Sequence, residues 1–262
     1  MTSLAGRGAL ITGSDGGIGF AIAERLAAEG CNVVLNGPTE SASTAALPDR
    51  ITALGVKCAY VRADVGSVAE VERLFAAAVA TVGSVDVLVN NAVVRHFHPI
   101  DEFPVAEWDR ALAVNVSAVF HSIRLAVPGM KRRNWGRIVN LASIYSTRGA
   151  ERRVDYVTAK HAIVGITRTA ALELARTGIT CNAVQPGWVL TPHAERQIAD
   201  RMKTAGETRE DAIDALLESR QPSGRLVTPE EVAACVAFLS SAAGAAITGT
   251  TLAVDGGWSA AP

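Results

Sequence analysis

The chain has 262 residues, of which 49% are hydrophobic, and its 25 Lys and Arg against 26 Asp and Glu leave a formal charge of −1. Near-neutrality removes the general attraction for nucleic acid or an anionic membrane that a basic chain has, so a small-molecule partner is expected, with no nucleic acid and no membrane. Cys31, Cys58, Cys181 and Cys235 lack the close spacing of zinc sites and redox dithiols. Buried thiols, no leader in MTSLAGRGALITG and no run of about 18 apolar residues together lead to an expected cytoplasmic location.

In chain order, GALIT (8–12) reads as a strand leading into a helix over GIGFAIAERLAAE (17–29), where Ile18, Ile22 and Leu26 share one face and Gly30 is the stop. NVVLN (32–36) is the second strand, and the turn formers of GPTESASTAALPDR (37–50) predict a loop leading into a short helix. Further strands are predicted at KCAYVRA (57–63), VDVLVN (85–90), GRIVNLAS (136–143), GITCNAVQ (178–185) and TTLAV (250–254), with helical stretches between most of them. The two long helices, about 105–132 and 156–176, carry more small apolar residues than one sheet face uses, which points to subunit pairing. Lys131, Arg132 and Arg133 read as a solvated helix end that complements the dipole. Residues 187–222 break the rhythm with the polar helical segments HAERQIADRM and REDAIDALLES, an insertion suited to a substrate lid. Strands apolar on both faces, separated by helices, predict a single α/β domain over 1–262: a doubly wound parallel sheet of Rossmann type with helices on both faces.

Thr12-Gly13-Ser14-Asp15-Gly16-Gly17-Ile18-Gly19 joins the first strand to the first helix, where backbone amides and a helix N-terminus suit a pyrophosphate. Its spacing, TGxxxGIG, resembles that of the short-chain dehydrogenase/reductase family. Tyr156 and Lys160 lie four apart on the helical segment YVTAKHAIVGITRTAALELA and so share a face. A nearby ammonium lowers a phenol's pKa from about 10 toward the range of a useful acid or base. Ser143, thirteen residues before Tyr156, ends the fifth strand, from which a loop can bring its hydroxyl to the reacting oxygen. Asn115, amid Val114, Val116 and Val119, reads by itself as a satisfied core asparagine.

The resemblance runs through essentially the whole chain and assigns roles. It implies that Tyr156 transfers the proton, Ser143 polarises the carbonyl, Lys160 tunes the phenol and anchors a ribose, and Asn115 supports a water relay. For the cofactor it implies Gly13, Ser14, Gly17, Ile18, Gly19, Asn36, Asp64, Val65, Asn91, Tyr156, Lys160, Pro186, Gly187, Val189 and Thr191, with Asp64-Val65 at the adenine edge. Asn90-Asn91-Ala92 is similar to the family's NNAG, with Val93 in place of its glycine, and Asp255-Gly256-Gly257 also matches. Asp15 in the turn and Asn36-Gly37-Pro38 after the second strand favour NAD over NADP, because a ribose 2′-phosphate calls for a basic neighbour. The family likeness further implies a homotetramer.

Within the family, LNG (35–37), NWGRI (134–138), QPGWVLTP (185–192), Gln197 and DGGW (255–258) are most similar to members acting on a small hydroxy acid, 3-hydroxybutyrate. Trp188, Gln197 and Trp258 match that substrate pocket, whereas Arg95, Tyr145 and Arg153 replace its glutamine, histidine and lysine. Ser143 and Tyr156 complete the expected substrate contacts. Arg153 suits a carboxylate, and Arg95 adds either a second cation for a larger or doubly acidic substrate or a solubilising surface charge. Reduction of oxoacyl thioesters, action on a sugar or polyol, and a non-catalytic dinucleotide sensor are the alternative readings. His96 and His98 flank Phe97 without a third ligand cluster, so no metal is expected.

Overall fold

The protein, represented by a computed structural model, is described for residues 4–218 and 220–261. The strands are β1 (Gly8–Ile11), β2 (Asn32–Gly37), β3 (Cys58–Arg62), β4 (Val87–Asn90), β5 (Gly136–Leu141), β6 (Ile179–Pro186) and β7 (Thr251–Val254). They form one parallel sheet in the order β3-β2-β1-β4-β5-β6-β7. The order reverses between β1 and β4, which opens a crevice at their carboxyl ends, the usual ligand position in such sheets. Every residue of β1, β4, β5 and β6 is buried, as expected of strands covered on both faces, and the polar residues among them, such as Asn90, Asn140 and Asn182, are hydrogen-bonded inside.

The helices are α1 (Gly17–Ala28), α2 (Ala42–Ala45), α3 (Leu47–Thr52), α4 (Val68–Val82), α5 (Val105–Leu112), α6 (Ala118–Arg133), α7 (Val154–Leu174), α8 (Pro192–Ala205), α9 (Arg209–Leu217) and α10 (Pro229–Ser240). One face of the sheet packs on α1 and α10 through Ile22, Leu26, Val232 and Val236, and the other on α4, α6 and α7 through Leu74, Ile123 and Ile163. Each such Leu, Ile or Val contributes roughly 1.5–3 kcal/mol when fully buried. Polar starts are built in: Ser67 accepts from the Glu70 amide at α4, and Thr228 and Glu231 form a reciprocal cap at α10.

Three expectations need correction. The stretch after β2 forms two short helices, α2 and α3, with Ser41 capping the first. The helix expected over 105–132 is interrupted at Ala113–Ser117 by a π-helical turn, in which the Ala118 amide bonds to the Ala113 carbonyl five residues back. Arg133 is no free helix end: its Nε lies 2.7 Å from the buried Asp86 carboxylate, which also accepts from the Gly8 amide and the Ser84 hydroxyl.

By length and composition the continuous segment Val105–Arg133 could cross a membrane. Its apolar side, including Ala111, Val114, Val119 and Met130, is instead buried in the core, and its Arg110, Arg124 and Arg133 pair with Asp64, Glu72 and Asp86.

The insertion between β6 and α10 carries α8 and α9, which share a small core of Ile198, Ala212 and Leu216. Its two ends are tied together by a parallel bridge between Val189 and Val227 and by the Gln221 side chain, whose Oε1 accepts from the Trp188 amide at 2.8 Å.

Candidate active site

The turn after β1 is shaped by close approach. Gly13 sits at φ +61°, where a Cβ would fall 2.7 Å from the Ala92 Cα, and at Gly19 a Cβ would meet the Gly13 carbonyl oxygen at 2.3 Å. Gly16 caps α1 with no side-chain hydrogen bond, so the first-turn amides of the helix keep their donors for an anion. Ser14 is fully buried, its hydroxyl donating to the Ile11 carbonyl, so that residue serves the turn's shape. Asn91 bonds to the Thr12 and Gly13 carbonyls at 3.1 and 2.6 Å and locks the end of β4 to the turn. Val93, which stands where the family carries glycine, lines both this groove and the adjoining cleft.

Gly13, Gly17, Ile18, Gly19, Asn36, Asp64, Val65, Asn91 and Thr191 all line one groove over the crevice. Three of them are already engaged, Asn91 by the bonds just described and Asn36 and Asp64 as well. The Asn36 amide accepts from Gly13 and donates to the Val61 and Ala63 carbonyls, so it holds β1, β2 and β3 in place. Both Asp64 oxygens accept from Arg110 at 2.8 Å, a pairing that holds the carboxyl below its ordinary pKa. Arg110, 46 residues away, was not anticipated as part of the groove. The glycine cradle and the free helix amides fit a dinucleotide pyrophosphate.

Pro186, Gly187, Val189 and Thr191 line an adjoining cleft with Ser143, Tyr156 and Lys160. Ser143 follows β5, while Tyr156 and Lys160 stand one turn apart on α7 and are only 6% and 5% exposed. α7 is registered on the sheet by a buried chain in which Asn90 donates to Asn140 at 2.8 Å and Asn140 to Thr167 at 2.9 Å. Lys160 Nζ donates to the Leu141 carbonyl at 2.5 Å and lies 5.4 Å from the centre of the Tyr156 ring. Burial opposes ionisation of Tyr156, but Arg95, then Lys160, then a Ser143 hydrogen bond outweigh it and bring the phenol down to about 8. Burial, reinforced by Arg95, lowers the Lys160 pKa against the opposing pull of Tyr156.

Asn115 sits in the π-helical turn, 2% exposed, and its amide both accepts from the Val94 amide and donates to the Val94 carbonyl at 2.9 Å. Its side chain therefore fixes the loop after β4. In that loop His96 Nδ1 lies 2.9 Å from the buried Asp155 carboxylate and His98 Nε2 lies 2.8 Å from Glu107. The two histidines bind carboxylates, and no group of three or more His, Cys, Asp or Glu side chains among the described residues is placed for a metal.

Arg95, Tyr145, Arg153, Trp188 and Trp258 line the cleft around Tyr156. Tyr145 stands edge-on to both Tyr156 and Trp258, at 6.1 and 5.8 Å between centres. Asp255 accepts from the Gly257 and Ser259 amides and so sets the turn that presents Trp258. Gln197 lies on α8 outside the cleft lining, and its Oε1, like the Trp188 indole nitrogen, is buried without a hydrogen-bond partner among the described residues. His193 and Arg196 were missed by sequence reasoning. His193 lines the cleft and the groove, Arg196 the groove, and burial followed by Arg95, Arg196 and Arg153 pushes the His193 pKa down. The only sequence signal was their place at the start of the insertion.

Residues 13–259 match the family model described as Enoyl-(Acyl carrier protein) reductase. The chain is 43% identical to the D-beta-hydroxybutyrate dehydrogenase of Cupriavidus necator, over 97% of this chain and 98% of that protein. It is 42% identical to the enzyme of that name from Rhizobium meliloti, over 96% and 98%. Among solved structures, levodione reductase superposes with a TM-score of 0.89 at 33% identity, covering 98% of this chain and 99% of that one. With the crevice at the sheet's switch point and the buried Tyr156–Lys160 pair beside Ser143, these matches show that the chain belongs to the short-chain dehydrogenase/reductase family, oxidoreductases of CH–OH groups that use a nicotinamide dinucleotide.

Proposed function

We propose that the protein is an NAD-dependent dehydrogenase of a small hydroxy acid related to 3-hydroxybutyrate, working also as a reductase of the matching oxo acid. The observation that carries this reading is a buried phenol of depressed pKa in a cleft that also presents the Arg153 guanidinium to a carboxylate. The glycine turn, the first amides of α1, Asn91 and the 186–191 segment would hold the dinucleotide, and Asp64 would meet its adenine end. When bound, the nicotinamide accepts or donates the hydride. In the oxidative direction the Tyr156 phenolate takes the proton from the substrate hydroxyl. Ser143 donates a hydrogen bond to the oxygen on which charge develops, and the Lys160 ammonium favours the phenolate. Asn115 acts by holding Val94 and a proton-relay path beside Lys160. The Asp15 carboxylate stands against Gly37 at the end of β2, an unfavourable setting for a 2′-phosphate, and this supports NAD.

The single domain carries α8 and α9 as a lid, and the orphaned Trp188 and Gln197 atoms are suited to bonds made when it closes over a polar substrate. Phe120 and Leu172, 53% and 80% exposed on α6 and α7, support a homotetramer, and the free cysteines support a reducing, cytoplasmic location. The test is formation of reduced nicotinamide, followed by absorbance, with 3-hydroxybutyrate and a panel of hydroxy and oxo acids, using NAD and NADP separately. Turnover with NAD is expected; no turnover with any hydroxy or oxo acid overturns the assignment.

A further inference from the structure

The cleft holds more positive charge than one carboxylate uses. Arg95 and Arg153 both line it, and neither has a carboxylate within ion-pair distance among the described residues. Elsewhere Arg110, Arg124, Arg133, Arg201, Arg209 and Arg225 each have one. The Arg95 guanidinium lies 5.1 Å from the centre of the Tyr156 ring, and that of Arg153 lies 4.5 Å from Phe97 and 5.5 Å from Tyr145. Each therefore stacks on one ring of the Tyr145–Tyr156 pair, with planar donor forks beside the proton-transfer position. Burial disfavours half-buried Arg153 as a cation, Tyr145 and Tyr156 work against that, and Arg95 and Arg220 add smaller repulsions. Arg153 is half-buried and Arg95 exposed, so two like charges converge on the cleft with no carboxylate of the described residues between them.

The position of Arg95 is fixed from both sides. Val94 before it is bonded in both directions to the buried Asn115, and His96 after it to the buried Asp155. The His98 amide then bonds to the Arg152 carbonyl at 3.2 Å, next to Arg153 on the other strand of this contact. The loop that carries Arg95 is thus anchored to the segment that carries Arg153.

We infer that the substrate is a hydroxydicarboxylate, one carboxylate bound by Arg153 and the second by Arg95, with its hydroxyl at Tyr156. This rests on the hydroxy-acid reading above. The alcohol carbon gives a hydride to NAD and its hydroxyl gives a proton to Tyr156, so the products are the oxodicarboxylate and NADH.

The test compares kcat/KM for 3-hydroxyglutarate and malate with that for 3-hydroxybutyrate, in the native protein and in Arg95→Gln and Arg95→Lys. One charge-assisted pair is worth about tenfold or more, so the native enzyme is expected to favour a dicarboxylate by at least about tenfold. Arg95→Gln is expected to remove that preference, and Arg95→Lys to restore part of it. Any effect of Arg95 on the phenol acts on both substrates and cancels in the ratio. In the native protein loaded with NADH, glutarate is expected to raise Tm more than butyrate at equal concentration, a readout that needs no variant. A native ratio of one or less, a ratio unchanged in Arg95→Gln, or equal Tm shifts overturns the inference. Turnover of 3-hydroxybutyrate without discrimination would overturn it alone. Turnover of a neutral secondary alcohol but of neither acid would overturn the hydroxy-acid reading as well. A weakened affinity for NAD in Arg95→Gln at constant substrate ratio would assign the guanidinium to the cofactor instead and overturn the inference.

Discussion

Arg95→Gln is expected to move the pH dependence of turnover upward. Tyr156 has a pKa of about 8 against the ordinary 10, and of the influences that lower it against burial, the charge of Arg95 is the strongest. The Arg95 guanidinium carbon lies 5.1 Å from the centre of the ring, and unit charges at about that separation interact by about 3 kcal/mol at an effective dielectric constant of about 20. Arg95 is exposed, so solvent screening leaves about half of that, equivalent to roughly one pH unit. The sign follows from which form works in each direction. Oxidation uses the phenolate, so its rate rises as pH climbs through the phenol pKa; reduction uses the phenol, so its rate falls through the same pKa. Removing the guanidinium raises that pKa and carries both limbs upward. At pH 7 oxidation then slows by roughly tenfold while reduction keeps its rate to higher pH. Profiles of kcat from about pH 6 to 10 in both directions measure the limb directly. If the rates fall uniformly and the limbs stay near pH 8, Arg95 does not tune this phenol and the electrostatic account of the site is wrong.

Tyr156→Phe removes the transferable proton and is expected to cut turnover by about 10²–10⁴-fold while leaving NADH binding, read by fluorescence titration, nearly unchanged; retained turnover refutes its role. Gly19→Ala places a methyl 2.3 Å from the Gly13 carbonyl oxygen and 2.6 Å from Asn91 Nδ2, so cofactor affinity is expected to fall at least about tenfold by calorimetry. Asp86→Ala leaves the part-buried Arg133 and the Gly8 amide without their acceptor, and urea unfolding is expected to show a loss of about 3 kcal/mol. Burial raises the thiols of Cys31, Cys58 and Cys181 to about 12 and that of Cys235 to about 11. A disulfide reagent at pH 8 is therefore expected to label none of them until denaturant is added, and prompt labelling of the native protein contradicts the packing described.

The sheet was legible because a parallel strand covered on both sides is predominantly apolar, and runs such as VDVLVN and GITCNAVQ carry that bias locally. The four-residue spacing put Tyr156 and Lys160 on one helix face, while their roles and the inclusion of Ser143, thirteen residues earlier, came from the resemblance to the family. What stayed hidden depends on partners distant in sequence. Arg133 looks like any basic helix end until Asp86, 47 residues earlier, is seen beneath it. Asp64 gives no sign of Arg110, and His193 and Arg196 give none of the way they join the expected Arg95 and Arg153 from a third stretch of chain. Asn36 stood at a strand end, as a ribose ligand would, yet its amide is spent on three backbone groups.

The extra residue housed at 113–117 makes the segment sensitive to chain length in a way that its composition does not reveal. Deleting a single residue there would close the region as an ordinary α-helix with its flanks still in phase, whereas deleting one from α6 would rotate everything upstream by about 100° relative to the part that follows. Glu107 and Arg110 would then swing off His98 and Asp64, and Asn115 off the Val94 backbone, all in one event. In a library of random variants, one-codon losses should therefore be tolerated less in α6 than at Ala113 in the π-helical turn.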